Sequence, residues 1–284
     1  MQKWPKKEWK KSKRKDRNEK QVEVLMKKIS VYFLGILFIM SFPCFAFSQT
    51  QGVSFSDGLR IKPGIHFEYF NRKMTWDEKK YSSELKSYLF ALNAEFQIED
   101  GFSLHTIVGY SLSSFDTLVF RQLPFSVELE VGNIDGYVFG AELRKSLIYS
   151  GNFEVGAYGQ FIYYLGKEKE WDLPGLNVPG TVTGKPTWMR ASLGPIITYT
   201  GFDNITPYLC LCYNNLWGKF KMTQNVQNLQ GTEEKDLRSK SLIDVSLGSF
   251  FDLTDRFFLK SEVHISPHGD GMDLGFVLVA AFSF

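Results

Sequence analysis

Residues 88–98 read YLFALNAEFQI, and this stretch decides the class of fold. Its even positions are all apolar, whereas the odd positions between them include Asn93, Glu95 and Gln97. Alternation with a period of two is the pattern of a β-strand whose two faces meet different surroundings. One face of this strand therefore suits lipid, and the other carries charge.

The same alternation recurs along the chain from residue 58 onward. From residue 59 to 69 the odd positions are apolar, and Lys62, His66 and Glu68 lie between them. Beyond residue 50 no stretch sustains the 3.6-residue period of a helix. Each alternating segment is about as long as a tilted strand needs to cross a bilayer, or slightly longer. We count ten: 58–70, 86–98, 102–113, 132–147, 153–166, 187–200, 205–218, 240–251, 256–266 and 272–284.

The connections between these segments alternate in length. Tight turns rich in Gly, Asp and Asn fall near 99–101, 150–152, 201–204 and 252–255. Longer polar stretches lie near 71–85, 114–131, 167–186 and 219–239, with a short one at 267–271. Short turns on one side and long loops on the other are typical of outer-membrane barrels. An even number of strands then places both ends of the mature chain on the periplasmic side.

Aromatic side chains favour the membrane over the soluble alternative, a β-sandwich or lipocalin-like barrel with its apolar face inside. Tyrosines stand near the strand ends, as in the aromatic girdle of a membrane barrel. They are Tyr69, Tyr110, Tyr137, Tyr163, Tyr199 and Tyr213. We therefore predict an all-β fold, an antiparallel up-and-down transmembrane β-barrel of about ten strands. Residues 118–120 and 127–131 leave eight or twelve strands as alternatives.

The last segment carries a resemblance. Every second residue from Met272 to Phe284 is apolar, and the chain ends on an aromatic residue. This resembles the C-terminal assembly signal of bacterial outer-membrane β-barrel proteins. The resemblance implies an outer-membrane location in a Gram-negative cell and recognition by the barrel-assembly machinery through the strand ending at Phe284.

The N-terminal region predicts export. Residues 29–47 are almost wholly apolar and follow Lys27 and Lys28, and the small residues Ala46 and Ser48 stand at the −3 and −1 positions before Gln49. These are the parts of a cleaved signal peptide, which we place at 26–48. A membrane anchor is the alternative. Residues 1–25 are polar and lysine-rich, which indicates a disordered basic leader or a start assigned too early, with Met26 as the true start. The barrel then occupies 49–284.

Charge and cysteines narrow the classes of function further. Residues 1–48 hold twelve of the 33 basic and four of the 31 acidic side chains, so the remainder carries 21 basic and 27 acidic groups. No basic patch is left in the mature part to bind nucleic acid. Cys210 and Cys212 share one strand face, where we expect packing and not a mutual disulfide. No motif predicts a cofactor or a metal site.

The lumen of a ten-stranded barrel is narrow, close to what side chains fill. Charges of both signs on the inward face predict an internal salt-bridge network, with a small conducting pathway as the alternative. The predicted lumen charges are Arg60, Lys62, Glu95, Glu142, Arg144, Glu154, Arg190, Asp244, Lys260 and Glu262.

A second group of polar residues depends on closure of the barrel. If the last strand pairs with the first, the extracellular ends of the last two strands and the first meet at one side of the mouth. Carboxylates beside imidazoles are ingredients of acid–base catalysis or of a metal site. A polar lining of a wet rim is the alternative. The candidates are His264, Glu262, Ser266, Asp273, His66 and Glu68.

Two enzyme families of the outer membrane offer comparisons. Omptin proteases are ten-stranded and use paired Asp residues with an Asp-x-His at the rim. Here Glu262-Val263-His264 is the nearest match, and no Asp-x-Asp accompanies it. Lipid A deacylases are eight-stranded and use His-x-Ser-Asn, which His264-Ile265-Ser266 resembles until Pro267 replaces the Asn.

The sequence thus predicts where the protein resides better than what it does. We expect no enzyme but a structural or surface-interaction barrel whose extracellular loops do the work. A small passive channel and a rim enzyme, deacylase-like or omptin-like, are the alternatives. Expected partners are outer-membrane lipid and lipopolysaccharide, with the loop around Trp171 as a candidate contact.

Overall fold

The computed structural model describes residues 60–76, 81–99, 101–173 and 180–283. The predicted leader at 1–25 and the predicted signal peptide at 26–48 lie outside these residues, as does Phe284 of the predicted assembly signal. Within the described ranges, no helix is long and apolar enough to cross a bilayer.

The described residues form fourteen antiparallel β-strands, where the sequence predicted about ten. They are β1 (Arg60–Trp76), β2 (Tyr81–Glu99), β3 (Phe102–Phe115), β4 (Leu118–Phe120), β5 (Val127–Leu129), β6 (Gly132–Ser150), β7 (Phe153–Gly166), β8 (Lys169–Asp172), β9 (Gly180–Tyr199), β10 (Ile205–Val226), β11 (Leu229–Ser239), β12 (Ile243–Thr254), β13 (Phe257–His268) and β14 (Gly271–Phe282).

The main sheet closes on itself. Its order runs β10-β12-β13-β14-β1-β2-β3-β6-β7-β9, and β9 pairs with β10 to complete the ring. The closure that the sequence left conditional is made by β1 and β14, from Gly64 opposite Ala281 to Phe70 opposite Gly275. The four further strands, β4, β5, β8 and β11, arise in the stretches between ring strands. A closed ring satisfies backbone hydrogen bonds without an exposed edge, as lipid requires.

The outward face confirms the strand alternation. Leu193, Leu247 and Leu92 are 67%, 64% and 60% exposed, in a band where side chains have no protein to pack against. The hydrocarbon interior of a bilayer removes such a surface from water, which is favourable. The outward even residues of β2 and the inward odd residues are those that the sequence assigned to the two faces.

Aromatic residues border this band on both sides. On the long-loop side Tyr69 lies 4.9 Å from Tyr88, and Tyr110 lies 6.3 Å from Tyr137, between ring centroids. On the short-turn side the pairs are Phe153 with Tyr199 at 5.1 Å and Phe257 with Phe282 at 4.8 Å. The molecule therefore has two girdles, as a transmembrane barrel does.

Several stretches expected to be loops are strands that continue beyond the band. β1 and β2 pair as far as Trp76 and Tyr81, β9 begins at Gly180, and β10 runs to Val226 before β11 returns. The predictions of loops at 71–85, 167–186 and 219–239 were wrong. Their outward faces are polar because they meet water, yet inward residues such as Met74, Leu85 and Met222 are fully buried.

Above the membrane the ring is formed by a different set of strands. β12, β13 and β14 end near the upper girdle, and β11 takes their place by pairing with both β10 and β1. The bridge to β1 joins Met74 to Ser239 and Thr75 to Arg238. The extracellular part therefore stays closed with fewer strands.

The connection from β3 to β6 folds inward as a plug. We call residues 116–131 the plug hairpin; its strands β4 and β5 pair from Leu118–Leu129 to Phe120–Val127. Five of its apolar side chains are buried inside the extracellular part of the barrel: Leu118, Phe120, Leu123, Val127 and Val131. The ring strands supply the other half of this core, including Phe115, Trp188 and Phe220.

Cys210 and Cys212 form a disulfide on the inward face of β10. The expectation of two packed thiols was wrong. Residues two apart on one strand face place their Cα atoms 6.0 Å apart here, which is within the range that a disulfide spans.

Candidate functional site in the barrel lumen

The lumen has three layers along the barrel axis. The apolar core with the plug hairpin fills the extracellular layer. A network of buried charged side chains fills the middle layer. A cavity lies at the short-turn end, which we call the periplasmic layer. These layers determine what each polar residue in the lumen can contact.

Asp244 is the centre of one half of the middle network. Its carboxylate accepts hydrogen bonds from Arg72 at 3.3 Å, from Asn214 at 3.3 Å and from the hydroxyl of Ser266. The imidazole of His264 lies 3.1 Å away through Nδ1. Because several groups surround this carboxylate, its burial is compensated.

His264 bridges Asp244 to a second carboxylate. Its Nε2 lies 2.6 Å from Glu262, while Ser246 lies 2.7 Å from its Nδ1. Glu262 also accepts a hydrogen bond from Tyr208. An imidazole held between two carboxylates has both ring nitrogens engaged, so neither is free to take a proton from a substrate.

Lys260 connects this half to a further cluster. Its ammonium lies 3.0 Å from Glu262 and 3.7 Å from Glu142. Glu142 in turn holds the guanidinium of Arg144 at 2.6 Å, and Arg144 stacks over Phe250 at 4.7 Å. Alternating signs of charge therefore continue across the lumen from β12 to β6.

Glu68 and Arg190 form the other half of the network. Their side chains are both almost fully buried and form an ion pair. Arg190 also donates to Gln160 at 2.9 Å and covers Phe70 at 5.1 Å, where the polar layer meets the apolar core. Removing one partner of such a buried pair typically costs about 3–5 kcal/mol.

The structure moves the candidate cluster from the mouth to the interior. His66, Glu68, Glu262, Ser266 and Asp273 are 5% exposed or less. The expectation of a shared rim was wrong because β1 and β10 continue outward and the apolar core covers these residues.

The candidate residues also separate into three groups. Glu262, His264 and Ser266 join through Asp244, whereas His66 contacts Glu68 at 3.5 Å. Asp273 instead meets His268 at 3.2 Å and the backbone N–H of Lys73 at 3.1 Å. No single constellation holds all six.

The prediction of an internal salt-bridge network is confirmed. The described side chains of the predicted lumen set face inward, and Lys62 lies 3.7 Å from Glu95 in addition to the pairs above. The side chain of Arg60 lies outside the described part of the structure. Sequence reasoning missed Arg72 because it fell in a stretch assigned to a loop. The unbroken inward series His66, Glu68, Phe70 and Arg72 was the signal that could have found it.

The periplasmic layer contains a cavity of about 340 Å³. Charged and polar groups line it, including Lys62, Glu95, His105 and Lys260. The Oδ1 of Asn93 is buried there without a hydrogen-bond partner among the described residues. Members of the charged network, including Glu142 and Arg144, are among the residues that line the cavity.

The described residues hold no group of three or more His, Cys, Asp or Glu side chains arranged to bind a metal ion. The carboxylates of the lumen instead pair with arginine, lysine and histidine. The arrangement neutralises charge inside a narrow barrel, as a structural network does.

No protein-family model matches the chain, and no curated protein matches it. Solved structures with a similar fold include the outer membrane protease OmpT from Escherichia coli, at 8% identity and a TM-score of 0.45, covering 83% of this chain and 99% of that one. The attachment invasion locus protein Ail of Yersinia pestis matches at 12% identity and a TM-score of 0.33, covering 80% and 97%. The toluene transporter TodX of Pseudomonas putida matches at 14% identity and a TM-score of 0.37, covering 80% of this chain and 68% of that one.

These neighbours are outer-membrane proteins with different activities, and at such similarity none indicates the activity of this chain. The closed ring, the exposed apolar band and the two girdles identify the chain as an outer-membrane β-barrel protein, located in the outer membrane.

Proposed function

We propose that the protein is a non-conducting outer-membrane barrel that acts through its extracellular surface. The observation that carries this proposal is the filled extracellular layer. The plug hairpin and the ring strands bury a continuous apolar core there, with Leu118, Phe120, Phe220 and Met222 at 0% exposure. An ion has no path through a packed apolar layer, because leaving water without a partner is costly.

Polar contacts anchor the plug hairpin to the long β10–β11 hairpin. The backbone N–H of Gln122 donates to Glu233 at 2.7 Å. The N–H of Phe125 donates to the side chain of Gln224 at 2.8 Å, and Gln224 donates back to the carbonyl of Phe125 at 3.2 Å. Reciprocal hydrogen bonds of this kind favour one fixed position of the plug over a mobile one.

The extracellular strands form a rigid platform. β10 alone extends thirteen residues past Tyr213 of the upper girdle, to Val226. At roughly 3.3 Å per residue this is about 40 Å of strand. At its tip the plug hairpin and β11 expose Phe125 and Leu229, at 40% and 54%. Exposed apolar residues on a rigid support suit a surface that contacts other molecules.

The geometry of His264 supports a non-enzymatic function. A general base must reach the proton that it abstracts. His264 instead contacts Asp244, Glu262 and Ser246, all buried on inward strand faces. A substrate at the cell surface meets the apolar layer first, so we propose no rim chemistry for this barrel.

A passive channel is the second candidate, and the periplasmic cavity favours it. This cavity carries polar groups of both signs through the lower part of the lumen. Conduction would require the plug hairpin to leave and the Glu68–Arg190 pair to separate. We therefore rank it second.

The test is ion conductance of the full-length protein, purified from outer membranes and inserted into a planar bilayer. We expect no discrete steps from protein that shows the heat-modifiable gel mobility of a folded barrel. A variant in which a short Gly-Ser linker replaces residues 118–129 serves as the comparison, because it lacks both strands of the plug hairpin. Reproducible steps from the unaltered protein would refute the closed barrel and establish the channel.

For assembly, we propose that the barrel-assembly machinery reads the C-terminal strand. β14 presents Leu274, Phe276, Leu278 and Phe282 on its outward face. These side chains alternate along the strand as the resemblance requires, and Phe282 lies in the lower girdle beside Phe257.

A further inference from the structure

The outward faces of β9 and β10 change character in a fixed order along the barrel axis. In the band, Leu211 and Leu193 are 55% and 67% exposed. Above them Tyr213 and then Trp217, which lies opposite Met189, mark the interface, with the polar Asn215 between them. The next outward residues of β10 are Lys219 and Lys221, both exposed. Apolar, aromatic and basic side chains thus follow one another along one surface.

The basic part of this surface contains two lysines placed directly opposite each other. Lys185 of β9 is the cross-strand partner of Lys221 of β10, and both side chains are exposed on the outward face. Like charges at directly opposite positions repel each other. Neither lysine forms an ion pair with a described residue.

The other described lysines on the outward face above the upper girdle have acidic partners. Lys86 lies 2.7 Å from Glu84, Lys167 lies 2.8 Å from Asp135, and both Lys73 and Lys240 bind Asp270. Lys219, next to the pair, is held by Glu234. Glu234 faces Lys221 in the strand register, but its carboxylate is engaged by Lys219. Lys185 and Lys221 therefore stand without an acidic partner among the described residues.

Hydroxyl and amide groups continue the surface above the lysines. Thr183 lies opposite Thr223, and Thr181 lies opposite Asn225. Thr223 also lies 3.1 Å from Thr232 of β11, between their hydroxyl oxygens. Glu170 of β8 stands opposite Thr183, one outward step farther from the membrane than Lys185. Neutral groups that both donate and accept hydrogen bonds suit sugar hydroxyls.

We infer that this surface is a binding site for a phosphorylated glycolipid of the outer leaflet, with Lys185 and Lys221 at its phosphate groups. The acyl chains lie along Leu193, Leu211 and Tyr213 and reach Trp217, from which Lys221 is roughly 13 Å farther along β10. The sugars lie against the threonines. Acyl chain, phosphate and sugar follow in the order in which the surface offers apolar, cationic and hydroxyl groups. Basic residues at a membrane surface attract anionic head groups in this way.

This surface is distinct from the candidate contact at Trp171. Trp171 packs inward against Gly184 and the extracellular core. The lipid site instead uses the opposite face of the same sheet. It depends on the membrane location and not on the sealed lumen, so conductance and lipid binding can fail separately.

The test compares the double variant Lys185→Ala/Lys221→Ala with a matched control, Lys86→Ala/Lys167→Ala. Each removes two outward lysines, but those of the control are ion-paired within the protein. Full-length proteins extracted from outer membranes are titrated with bisphosphorylated lipid A and with its dephosphorylated form, and bound lipid is measured by native mass spectrometry.

We expect the unaltered protein to prefer the phosphorylated lipid and the double variant to lose roughly thirtyfold in affinity for it, about fivefold for each lysine. The control should change by less than about twofold. Equal binding of the two lipids by the unaltered protein would overturn the inference. So would an equal loss in the control, or full affinity in the double variant. If the double variant lacks the heat-modifiable mobility of a folded barrel, Lys185→Gln/Lys221→Gln repeats the test with side chains of similar length.

Discussion

At the scale of single residues, the polar groups of this barrel divide by environment. Asp244 and Glu262 are buried and share several donors, whereas Asp270 stands in the exposed turn after β13. Asp270 accepts hydrogen bonds from Lys240 and from Lys73, the latter at 3.1 Å. Lys73 belongs to β1, and Lys240 follows the end of β11. One carboxylate thus ties the last hairpin to the strands that rise above it.

The hydrogen bond from Lys240, and then that from Lys73, lowers the pKa of the Asp270 carboxyl from 3.8 to about 2. A carboxyl whose pKa is depressed in the folded state stabilises that state above its unfolded pKa. This contribution is therefore present above about pH 4 and is lost as the pH falls toward 2.

We expect the carbon resonance of the Asp270 carboxyl to titrate with a midpoint near 2 and to shift toward the ordinary value of about 4 in Lys240→Ala. NMR of protein labelled at aspartate measures both midpoints. Lys219→Ala, which removes an exposed lysine on another hairpin, should leave the midpoint unchanged. A midpoint near 4 in the unaltered protein would show that the hydrogen bonds from Lys240 and Lys73 to Asp270 do not form.

At the scale of elements, the plug hairpin distinguishes this barrel from an open pore. Its strands are only three residues each, too few to be stable as an isolated hairpin. It is held by burial of its apolar side chains and by its hydrogen bonds to Glu233 and Gln224. The ring of Phe120 lies 5.8 Å from that of Phe220, which itself meets Phe115 at 5.6 Å.

Phe120→Ala should loosen the plug hairpin by about 3–5 kcal/mol, since a fully buried ring is replaced by a cavity. Hydrogen exchange of the peptide covering 116–131, followed by mass spectrometry, should then be at least about a hundredfold faster. Phe125→Ala is the control, because Phe125 is 40% exposed and lies in the same hairpin. Similar exchange rates in the two variants would mean that the core does not hold the hairpin in place.

At the scale of the whole molecule, the three layers of the lumen and the two girdles define one orientation. The short turns at 151–152, 200–204 and 255–256 lie at one end with the cavity. The plug hairpin, β8 and the β10–β11 hairpin lie at the other. Outer-membrane barrels turn their short connections to the periplasm, so the sealed end faces the outside.

This orientation predicts the labelling of two introduced cysteines. Asn225→Cys at the tip of β10 should react with a membrane-impermeant maleimide in intact cells. Asn152→Cys in the turn after β6 should react only after the outer membrane is permeabilised, although both positions are exposed. The unaltered protein, with Cys210 and Cys212 in a disulfide, measures the background. The reverse labelling pattern would show that the barrel has the opposite orientation in the outer membrane.

The sequence by itself determined the strands, their faces and their membrane band. Alternation is a local property, because successive side chains of any strand point to opposite faces. The stretch 88–98 therefore showed its lipid face before its partners were known, and Tyr69, Tyr110 and Tyr137 could be assigned to a girdle. The inward charges of Glu142, Arg190 and Lys260 followed from the same period.

Only the tertiary structure decided which of these side chains meet and how far the strands continue. The contacts of Glu68 with Arg190 and of Asp244 with Arg72 join residues separated by 122 and 172 positions, and depend on the register of the whole ring. Above the membrane both faces of a strand change partner, since water replaces lipid outside and the plug hairpin replaces the polar network inside. A polar outward face then resembles a loop in the sequence, although the buried inward face keeps it a strand.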